Sequence, residues 1–409
     1  MGLLRMSESK VSETERELLG LLSRSLKPAE GVCDIAEFEG ETWELIYSLA
    51  SRHEVLPLLG NIIDPSVLPP KMQNDFQLKT AICVRTGIQL EALTVRLTEL
   101  LSKAGITAVA LKGYSVSRFY LVPEFRKTSD VDLFLFSAED AKKAGSILCE
   151  NGFELSKEWH ANHHAVFVSK KNEEAELHTA WADEFKDKAF NRRLEAMEKE
   201  SRAHIEEIDC GGGKLYAYDT PWQAFYLVIH MLGHFVGCGF GLRNLCDLVV
   251  LWENCEDKNA REAFRKTVGD GEMAEFAKAV ISICVEYLGL TPEKSPFSWE
   301  ELTNKNLTDE LVRDILDAGE FGYSEHERMV GMDGASFGAY IKEFHHQMHI
   351  NFPKAGRVIL FWPVLWVATL LRFLNNNKKF NRSPVFKIMK KAGNRGKLVK
   401  RLTSNKKDG

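Results

Sequence analysis

Two aspartates, Asp130 and Asp132, lie one residue apart in the apolar run SDVDLFLF, and they are the residues of this chain best suited to chemistry. The apolar character of the run predicts a strand, on which residues i and i+2 point to the same side. Two carboxylates held that close repel each other unless a cation lies between them. Hard oxygen ligands of this kind suit Mg²⁺ or Mn²⁺. The pair therefore predicts a metal site.

A third acid, Glu176, opens the run ELHTAW, which also has the pattern of a strand. This strand can neighbour the strand of the Asp pair, and Glu176 shares one of its faces with His178. Three carboxylates converging from two strands suit two Mg²⁺ ions, which clamp a nucleoside triphosphate and lower the pKa of an attacking hydroxyl. Two interpretations of His178 stay open. The first is a role near the acceptor or behind the metal ligands, and the second is a purely structural role.

The dipeptide Lys112-Gly113 has the properties of a phosphate-binding turn. It follows the short apolar run ITAVAL, predicted to be a buried strand, and precedes a predicted helix over residues 114–121. Glycine permits a tight turn and a close approach of the backbone, and N–H groups at a helix N-terminus favour phosphate. The lysine adds a positive charge. The alternative is that Lys112 is a solvated turn residue.

The surrounding patterns predict how these residues are positioned. Residues 8–104 have helical periodicity, and Gly105 ends the last helix. Strand, helix, strand, helix and hairpin then follow, which predicts a small mixed sheet of four or five strands. We thus expect an α/β (α+β) fold, with a small mixed-sheet core between N- and C-terminal helical regions. The predicted boundaries are 1–104, 105–205, 206–350 and 351–409, the last holding an apolar Trp/Pro segment and a basic tail.

The succession LKG, an arginine in the following loop (Arg126), SDVDLFL and ELH resembles the nucleotidyltransferase superfamily of the polymerase-β type. More narrowly, the chain resembles the largely uncharacterised bacterial branch called NTP_transf_5. That branch also has Lys-Gly where most of the superfamily has a Gly-Ser turn. The resemblance extends over roughly residues 40–375 and includes the segments HANHH, HMLGHF, LRNLCDLVVLW and NFPKAG.

The resemblance implies roles for individual residues. Asp130 and Asp132 would hold both metal ions, and Glu176 would hold the catalytic ion and help to activate the acceptor hydroxyl. Lys112 and Gly113 would face the triphosphate. Arg126 would either neutralise phosphate charge or form an ion pair with one of the aspartates. The implied reaction is in-line attack of an acceptor on the α-phosphorus of ATP or another NTP, with pyrophosphate leaving.

Several further polar residues keep two interpretations. His230 and His234 lie one helical turn apart, where they would either pack within the helices or form a pocket wall. Arg243 and Asp247 have the same spacing and would form an ion pair on a helix or line the nucleotide cleft. His160, His163 and His164 cluster near the last predicted strands. None of these residues completes a recognisable zinc motif.

Composition limits the classes of partner. The 409 residues have a formal net charge of −5, so the chain as a whole is not a polyanion binder, but twelve Lys and Arg against one acid follow residue 377. The apolar segment Val358–Leu371, interrupted by Pro363, is short for a membrane span. With the tail, it predicts a buried helix or contact with an anionic membrane surface. Nucleic acid is the less favoured partner, because the tail has few aromatics for stacking.

Eight scattered cysteines without a CxxC pair, and an N-terminus without a signal-peptide pattern, predict a reduced cytoplasmic protein. A peripheral position at the inner face of the membrane is the alternative that the C-terminal segment leaves open. The sequence thus favours a Mg²⁺-dependent nucleotidyltransferase that acts on a small molecule, such as a sugar, or on a protein. The alternative is a non-catalytic nucleotide-binding or regulatory module, such as an antitoxin-like partner protein.

Overall fold

A seven-stranded mixed sheet forms the centre of the chain. The computed structural model describes residues 11–27, 38–160, 164–185, 187–210, 212–237, 239–302, 304–319, 337–352, 355–379 and 385–403. The spatial order of the strands is β3-β4-β5-β2-β1-β7-β6. In chain order they are β1 (Ala108–Ala110), β2 (Val131–Leu135), β3 (Phe153–His160), β4 (His164–Ser169), β5 (Glu174–His178), β6 (Ile205–Asp209) and β7 (Lys214–Tyr218).

The α-helices of the described ranges cover the sheet and extend beyond it. Before and within the sheet region these are α1 (Glu13–Leu26), α2 (Gly40–Arg52), α3 (Pro70–Lys103), α4 (Tyr114–Ser117), α5 (Ala138–Glu150) and α6 (Lys188–Glu200). After the sheet they are α7 (Thr220–Val236), α8 (Leu242–Glu253), α9 (Lys258–Val268), α10 (Glu272–Tyr287), α11 (Lys305–Ala318), α12 (Phe337–Asn351), α13 (Trp362–Lys379) and α14 (Val385–Leu402). The predicted α/β class with flanking helical regions is confirmed.

The alternation of side chains along β2 divides the sheet into two buried faces. Val131, Leu133 and Leu135 pack with α3 and α5 in one hydrophobic core. Phe134 points the other way, into the core that contains α7 and α8. Asp132 shares the face of Phe134, since residues two apart on a strand point to the same side. The Asp132 carboxylate is therefore directed towards the C-terminal helices.

Local signals in the sequence determine where the helices around the site begin and end. Ser137 caps α5 by accepting a hydrogen bond from the backbone N–H of Asp140. Asp219 caps α7 by accepting one from Trp222, and Pro221 lies in the first turn. Gly105 follows α3 with a φ of 78°, a conformation that favours glycine, and turns the chain into β1.

The sheet is larger than the four or five strands that the sequence predicts. The hairpin β6–β7 lies almost entirely in the segment 206–350, for which the sequence predicts a helical region, and it adds to the sheet because β7 pairs in parallel with β1. The sheet therefore extends past residue 205. Its signal in the sequence is weak, because β6 (IEEID) is an edge strand whose charged residues hide the alternation of apolar residues.

The described ranges contain no helix that is both long and apolar enough to span a lipid bilayer. No disulfide joins the cysteines of these ranges, which are Cys83, Cys149, Cys210, Cys246, Cys255 and Cys284. Cys33, Cys238 and His163 lie outside the described residues.

An aromatic cluster joins the sheet to the C-terminal helices, with Trp181 at its centre. The Trp181 ring lies 6.1 Å from that of Phe134, and its Nε1 donates to the hydroxyl of Tyr218 at 3.2 Å. The backbone N–H of Trp181 donates to Glu198 Oε1 at 2.7 Å. Burial raises the pKa of Glu198 to about 7, although this hydrogen bond favours the ionised form. The fold thus contains a buried acid that carries a proton at mildly acidic pH.

We predict that Glu198 makes the protein less stable as the pH rises from 4.5 to about 7. In this window the folded state keeps a proton that the unfolded state has lost, so the free energy of unfolding falls. Glu198→Gln mimics the protonated acid and should exceed the wild type in stability by up to about 3 kcal/mol at pH 8, but not at pH 5. Urea denaturation at both pH values measures this difference. Glu200→Gln, an exposed position on the same helix, is the control; equal pH dependence of all three proteins would contradict the prediction.

Candidate active site

The site begins with two parallel strands in register. Asp132 of β2 lies directly opposite Glu176 of β5, and Phe134 lies opposite His178. The predicted adjacency of these two strands is confirmed. Asp132 is 4% exposed, and its Oδ1 lies 3.0 Å from His178 Nε2. The same imidazole nitrogen lies 3.3 Å from Glu176 Oε2, so His178 lies between the two carboxylates.

Lys112 brings a second positive charge to Asp132. It follows β1, which pairs antiparallel with β2, and its Nζ lies 3.1 Å from Asp132 Oδ2. Helix α7 fixes the end of β1, because the buried side chain of Gln223 donates to the carbonyl of Leu111 at 2.8 Å. Lys112 is therefore not the solvated turn residue of the alternative interpretation. Its ammonium group is held beside the buried carboxylate.

Opposing effects act on the pKa values of Asp132 and His178. Burial favours the neutral acid of Asp132, but the charge of Lys112 and the hydrogen bond from His178 hold its pKa well below the ordinary value. Burial would also lower the pKa of His178, but its hydrogen bonds to Asp132 and Glu176 raise it to about 9. The Asp132 carboxylate is thus ionised and is neutralised by two cations.

Asp130 differs from Asp132 in position and in electrostatics. It precedes β2 in a bend and is half-buried at the open end of the strand. Burial raises the pKa of Asp130 to about 6, and the charge of Asp132 acts in the same direction, while Lys112 opposes it. A carboxyl group with this pKa can gain or lose a proton, or accept a cation, near neutral pH.

Gly113 makes the turn after Lys112 in a backbone conformation that favours glycine. Its φ is 68° and its ψ is −129°, and it caps α4. A Cβ atom at this position would lie 3.7 Å from Thr128 Cγ2, which is an ordinary contact distance. The backbone angles, more than a steric clash, therefore favour glycine here. Helix α4 contains four residues, where the sequence predicts a helix over residues 114–121. A helix of one turn has a small dipole, so Lys112 supplies most of the positive charge here.

Arg126 forms a buried ion pair with α8. Its Nε and Nη2 donate to the two carboxylate oxygens of Asp247 at 2.6 and 2.7 Å, and both residues are almost fully buried. Tyr120 donates its hydroxyl proton to Asp247 Oδ1 at 2.7 Å, and Arg126 Nη1 donates to Thr128 at 3.1 Å. The sequence offered Asp130 or Asp132 as ion-pair partners, and Asp247 is the partner in the structure.

Further contacts hold the loop between α4 and β2, residues 118–130, against its neighbours. Arg243 of α8 donates from Nη1 to the carbonyl of Lys127 at 3.0 Å. Asn254 donates to the carbonyl of Phe119 at 3.0 Å. On the other side, Lys127 forms an ion pair with Glu54 after α2. Asp130 therefore projects from a loop that helices fix on two sides.

A cleft lies between this loop, the end of β2, and helices α7 and α8, and we call it the site cleft. His230 and His234 of α7 line it with their rings 4.5 Å apart. Burial and the charge of Lys112 lower the pKa of both, that of His234 to about 4, so the imidazoles are neutral at pH 7. The other lining residues are Lys112, Gly113, Arg126, Thr128, Ser129, Asp130, Asp132, Phe240, Arg243 and Asn244.

Sequence reasoning named most but not all of this cleft. It placed Asp130, Asp132, Lys112 and Gly113 together, and it offered the pair His230 and His234 as a pocket wall. It did not identify Thr128, Ser129, Phe240 or Asn244, whose residue types carry no pattern. Asn244 directly follows Arg243 on α8, and that proximity was the one available signal.

The arrangement could hold a metal ion. One ligand atom each from Asp132, Glu176 and His178 lies within 4.8 Å of the others, and this group differs from the predicted three acids in having His178 in place of Asp130. Two carboxylate oxygens and one imidazole nitrogen are donors that divalent cations accept. Behind them, the His164 ring stacks on that of His178 at 5.3 Å. The donor set fits a divalent cation.

Comparison with known proteins agrees with this geometry. Residues 39–289 match the profile of the NTP_transf_5 family, described as uncharacterised nucleotidyltransferase. The chain belongs to this family. The NTP_transf_5 match includes the whole sheet and helices α7 to α10, and it confirms the resemblance seen in the sequence. The match ends at residue 289, short of the residue 375 that the motifs suggested.

The other comparisons add little. No curated protein matches the NTP_transf_5 chain. A similar solved structure is that of an antigenic nucleotidyltransferase-like protein from Paracoccidioides brasiliensis. It is 13% identical, with a TM-score of 0.29, over 44% of this chain and 87% of that one.

The ion pair of Arg126 with Asp247 gives a prediction for stability. Asp247→Ala should lower the free energy of unfolding by about 3–5 kcal/mol, because it leaves a buried guanidinium without a counter-charge. Tyr120→Phe, which removes one hydrogen bond to the same carboxylate, should cost about 1 kcal/mol. The double variant Arg126→Met with Asp247→Leu should recover most of the loss. Urea denaturation measures all three, and similar losses for Asp247→Ala and Tyr120→Phe would contradict the assignment.

Proposed function

We propose that this protein transfers a nucleotidyl group from a nucleoside triphosphate to an acceptor hydroxyl. The observation that carries the proposal is the in-register pair Asp132 and Glu176, with Lys112 beside it, in a chain that belongs to a nucleotidyltransferase family. Asp130, Asp132 and Glu176 would hold Mg²⁺ or Mn²⁺, with His178 next to them. A bound divalent cation would supply charge neutralisation for the triphosphate and a lower pKa for the attacking hydroxyl.

The positive groups around the site cleft suit a triphosphate. Lys112 and Gly113 form the turn that faces the phosphates, and Arg243 lines the cleft from α8. Arg126 directs its guanidinium to Asp247, so its proposed role is to position the loop that carries Asp130. This role differs from a direct phosphate contact, which the resemblance offered as one of two alternatives.

The proposed reaction requires few functional groups from the protein. The acceptor oxygen forms a bond to the α-phosphorus while the bond to the β-phosphate oxygen breaks, and pyrophosphate leaves. Glu176, half-buried and one of the residues that would hold the cation, would accept the proton of the acceptor hydroxyl. Lys112 would neutralise charge on the phosphates as they separate, since such transfer depends mainly on positioning and electrostatics.

The site cleft also bears on the kind of acceptor. Neutral His230 and His234 line the cleft together with Phe240 and Asn244. Neutral imidazoles and an amide can exchange hydrogen bonds with the hydroxyl groups of a small molecule such as a sugar. A protein side chain is the other acceptor that the proposal allows. Because the cysteines of the described ranges form no disulfide, we also propose a cytoplasmic location.

We predict that Asp132→Asn abolishes transfer of label from NTP. Purified protein is incubated with Mg²⁺, each NTP labelled at the α-phosphate in turn, and cell extract as the source of acceptors. The wild type should give Mg²⁺-dependent labelled product, and Asp132→Asn should lower the rate by at least 100-fold. Glu176→Gln, which removes a less buried charge, should lower the rate by a similar factor.

Asp270→Asn is the matched control, because Asp270 is exposed in the turn after α9. It should transfer label at the wild-type rate, and circular dichroism should show all three variants folded. If the wild type binds NTP but transfers no label in any extract, the non-catalytic regulatory module is the better description. Absence of both binding and transfer would show that the proposed function is wrong.

A second prediction assigns the phosphate contacts. Lys112→Met and Arg243→Gln should each raise the Kd for NTP at least tenfold, because each removes a charge-assisted hydrogen bond worth about 1.5–3 kcal/mol. Isothermal titration with a non-hydrolysable NTP measures the change. Lys103→Met, at the exposed end of α3, is the control. An unchanged Kd for Arg243→Gln would remove α8 from the nucleotide site.

A further inference from the structure

Helix α13 and the turn before it expose an apolar surface. Leu360 is 83% exposed, Val364 70%, Val367 57% and Leu371 61%. These residues follow one another at spacings of four, three and four, so they form a stripe along one side of the helix. Further exposed apolar side chains extend the stripe: Val358, Ile359, Phe361 and Leu370. Contiguous exposure of this kind marks a contact surface more often than an isolated apolar residue does.

The opposite side of α13 is already occupied. Trp362 Nε1 donates to the carbonyl of Gly356 at 2.7 Å, and Trp366 Nε1 donates to His345 Nδ1 of α12 at 3.2 Å. The His345 ring lies 4.6 Å from that of Trp362, and Thr369 is buried. These contacts fix the rotation of the helix. The apolar stripe thus faces outwards because polar and aromatic contacts hold the other side against α12.

Positive charge accompanies the apolar stripe. Arg357 precedes it in the sequence, and Arg372 follows it and is exposed. From residue 372 to the end there are thirteen Lys and Arg and one acid, Asp408. Part of this charge is neutralised within the fold, since Arg395 pairs with Asp314 and Arg401 pairs with Glu310. Lys397 and Lys400 are exposed on the same helix, α14.

We propose that the stripe on α13 binds the surface of an anionic lipid bilayer. Apolar side chains on one side of a helix enter the boundary between headgroups and acyl chains, and nearby basic residues are attracted to anionic headgroups. The charge favours this occupant over a second copy of the chain. Two copies joined at the stripe would bring together two strongly basic C-terminal segments, which repel each other.

Sedimentation with lipid vesicles tests the proposal on the full-length protein. The wild type should partition into vesicles of phosphatidylcholine and phosphatidylserine at least tenfold more strongly than into phosphatidylcholine alone, and 0.5 M NaCl should weaken this binding. The double variant Leu360→Glu with Val364→Glu should lower partition at least tenfold. The control is Leu78→Glu with Ile82→Glu, an exposed apolar pair (59% and 54%) four residues apart on α3, which should bind as the wild type does.

Two results would overturn the proposal. One is equal partition of the wild type and the α13 variant. The other is a concentration-dependent dimer in analytical ultracentrifugation that the α13 variant abolishes, without any vesicle binding, because the stripe would then bind a second copy. The affinity of both variants for NTP should equal that of the wild type, so failure of lipid binding is distinguishable from failure of the proposed function.

Discussion

Burial of the Asp132 carboxylate is the constraint on which the arrangement of the site depends. A buried anion is unfavourable unless opposite charges and hydrogen bonds compensate it. Lys112 contacts one oxygen and His178 the other, and they reach it from β1 and from β5, the two neighbours of β2 in the sheet. The order of β1, β2 and β5 in the sheet, and their register, follow this need to compensate the buried charge of Asp132. The group gathers two cations and a second acid, Glu176, in one place, with donor atoms that could hold a divalent cation.

A second buried pair connects this sheet to the C-terminal helices. Arg126 and Asp247 form two parallel hydrogen bonds, and their charges compensate each other away from water. The pair fixes the loop that ends at Asp130, while Gln223 of α7 fixes the end of β1. The two sides of the site cleft are therefore held by separate contacts to consecutive helices. The helical region acts as the second wall of the site cleft, and the family match includes it.

Much of the fold could be predicted from local patterns. Apolar periodicity predicted helices over residues 8–104, where α1 to α3 lie, with Gly105 at the end of the last one, and short apolar or alternating runs predicted β1 to β5. The hairpin β6–β7 was missed, because its charged edge strand has little alternation and its pairing with β1 joins residues more than 100 positions apart. The same distance hid Asp247 as the partner of Arg126. His178 was placed beside the acids, but its position between two carboxylates depends on the register of β2 and β5.

The sequence by itself determined the chemical groups of the site and the shared face of Glu176 and His178, because a strand alternates its side chains whatever surrounds it. It also determined the apolar segment Val358–Leu371 and the basic tail, which are properties of composition, whereas contacts with α12 decide which side of α13 is exposed. The tertiary structure alone decided which charges meet. Ion pairs such as Lys112 with Asp132 and Arg126 with Asp247 depend on distances in space, and burial makes each of them strong enough to shift pKa values and to hold a loop. No pattern within a short segment contains that information.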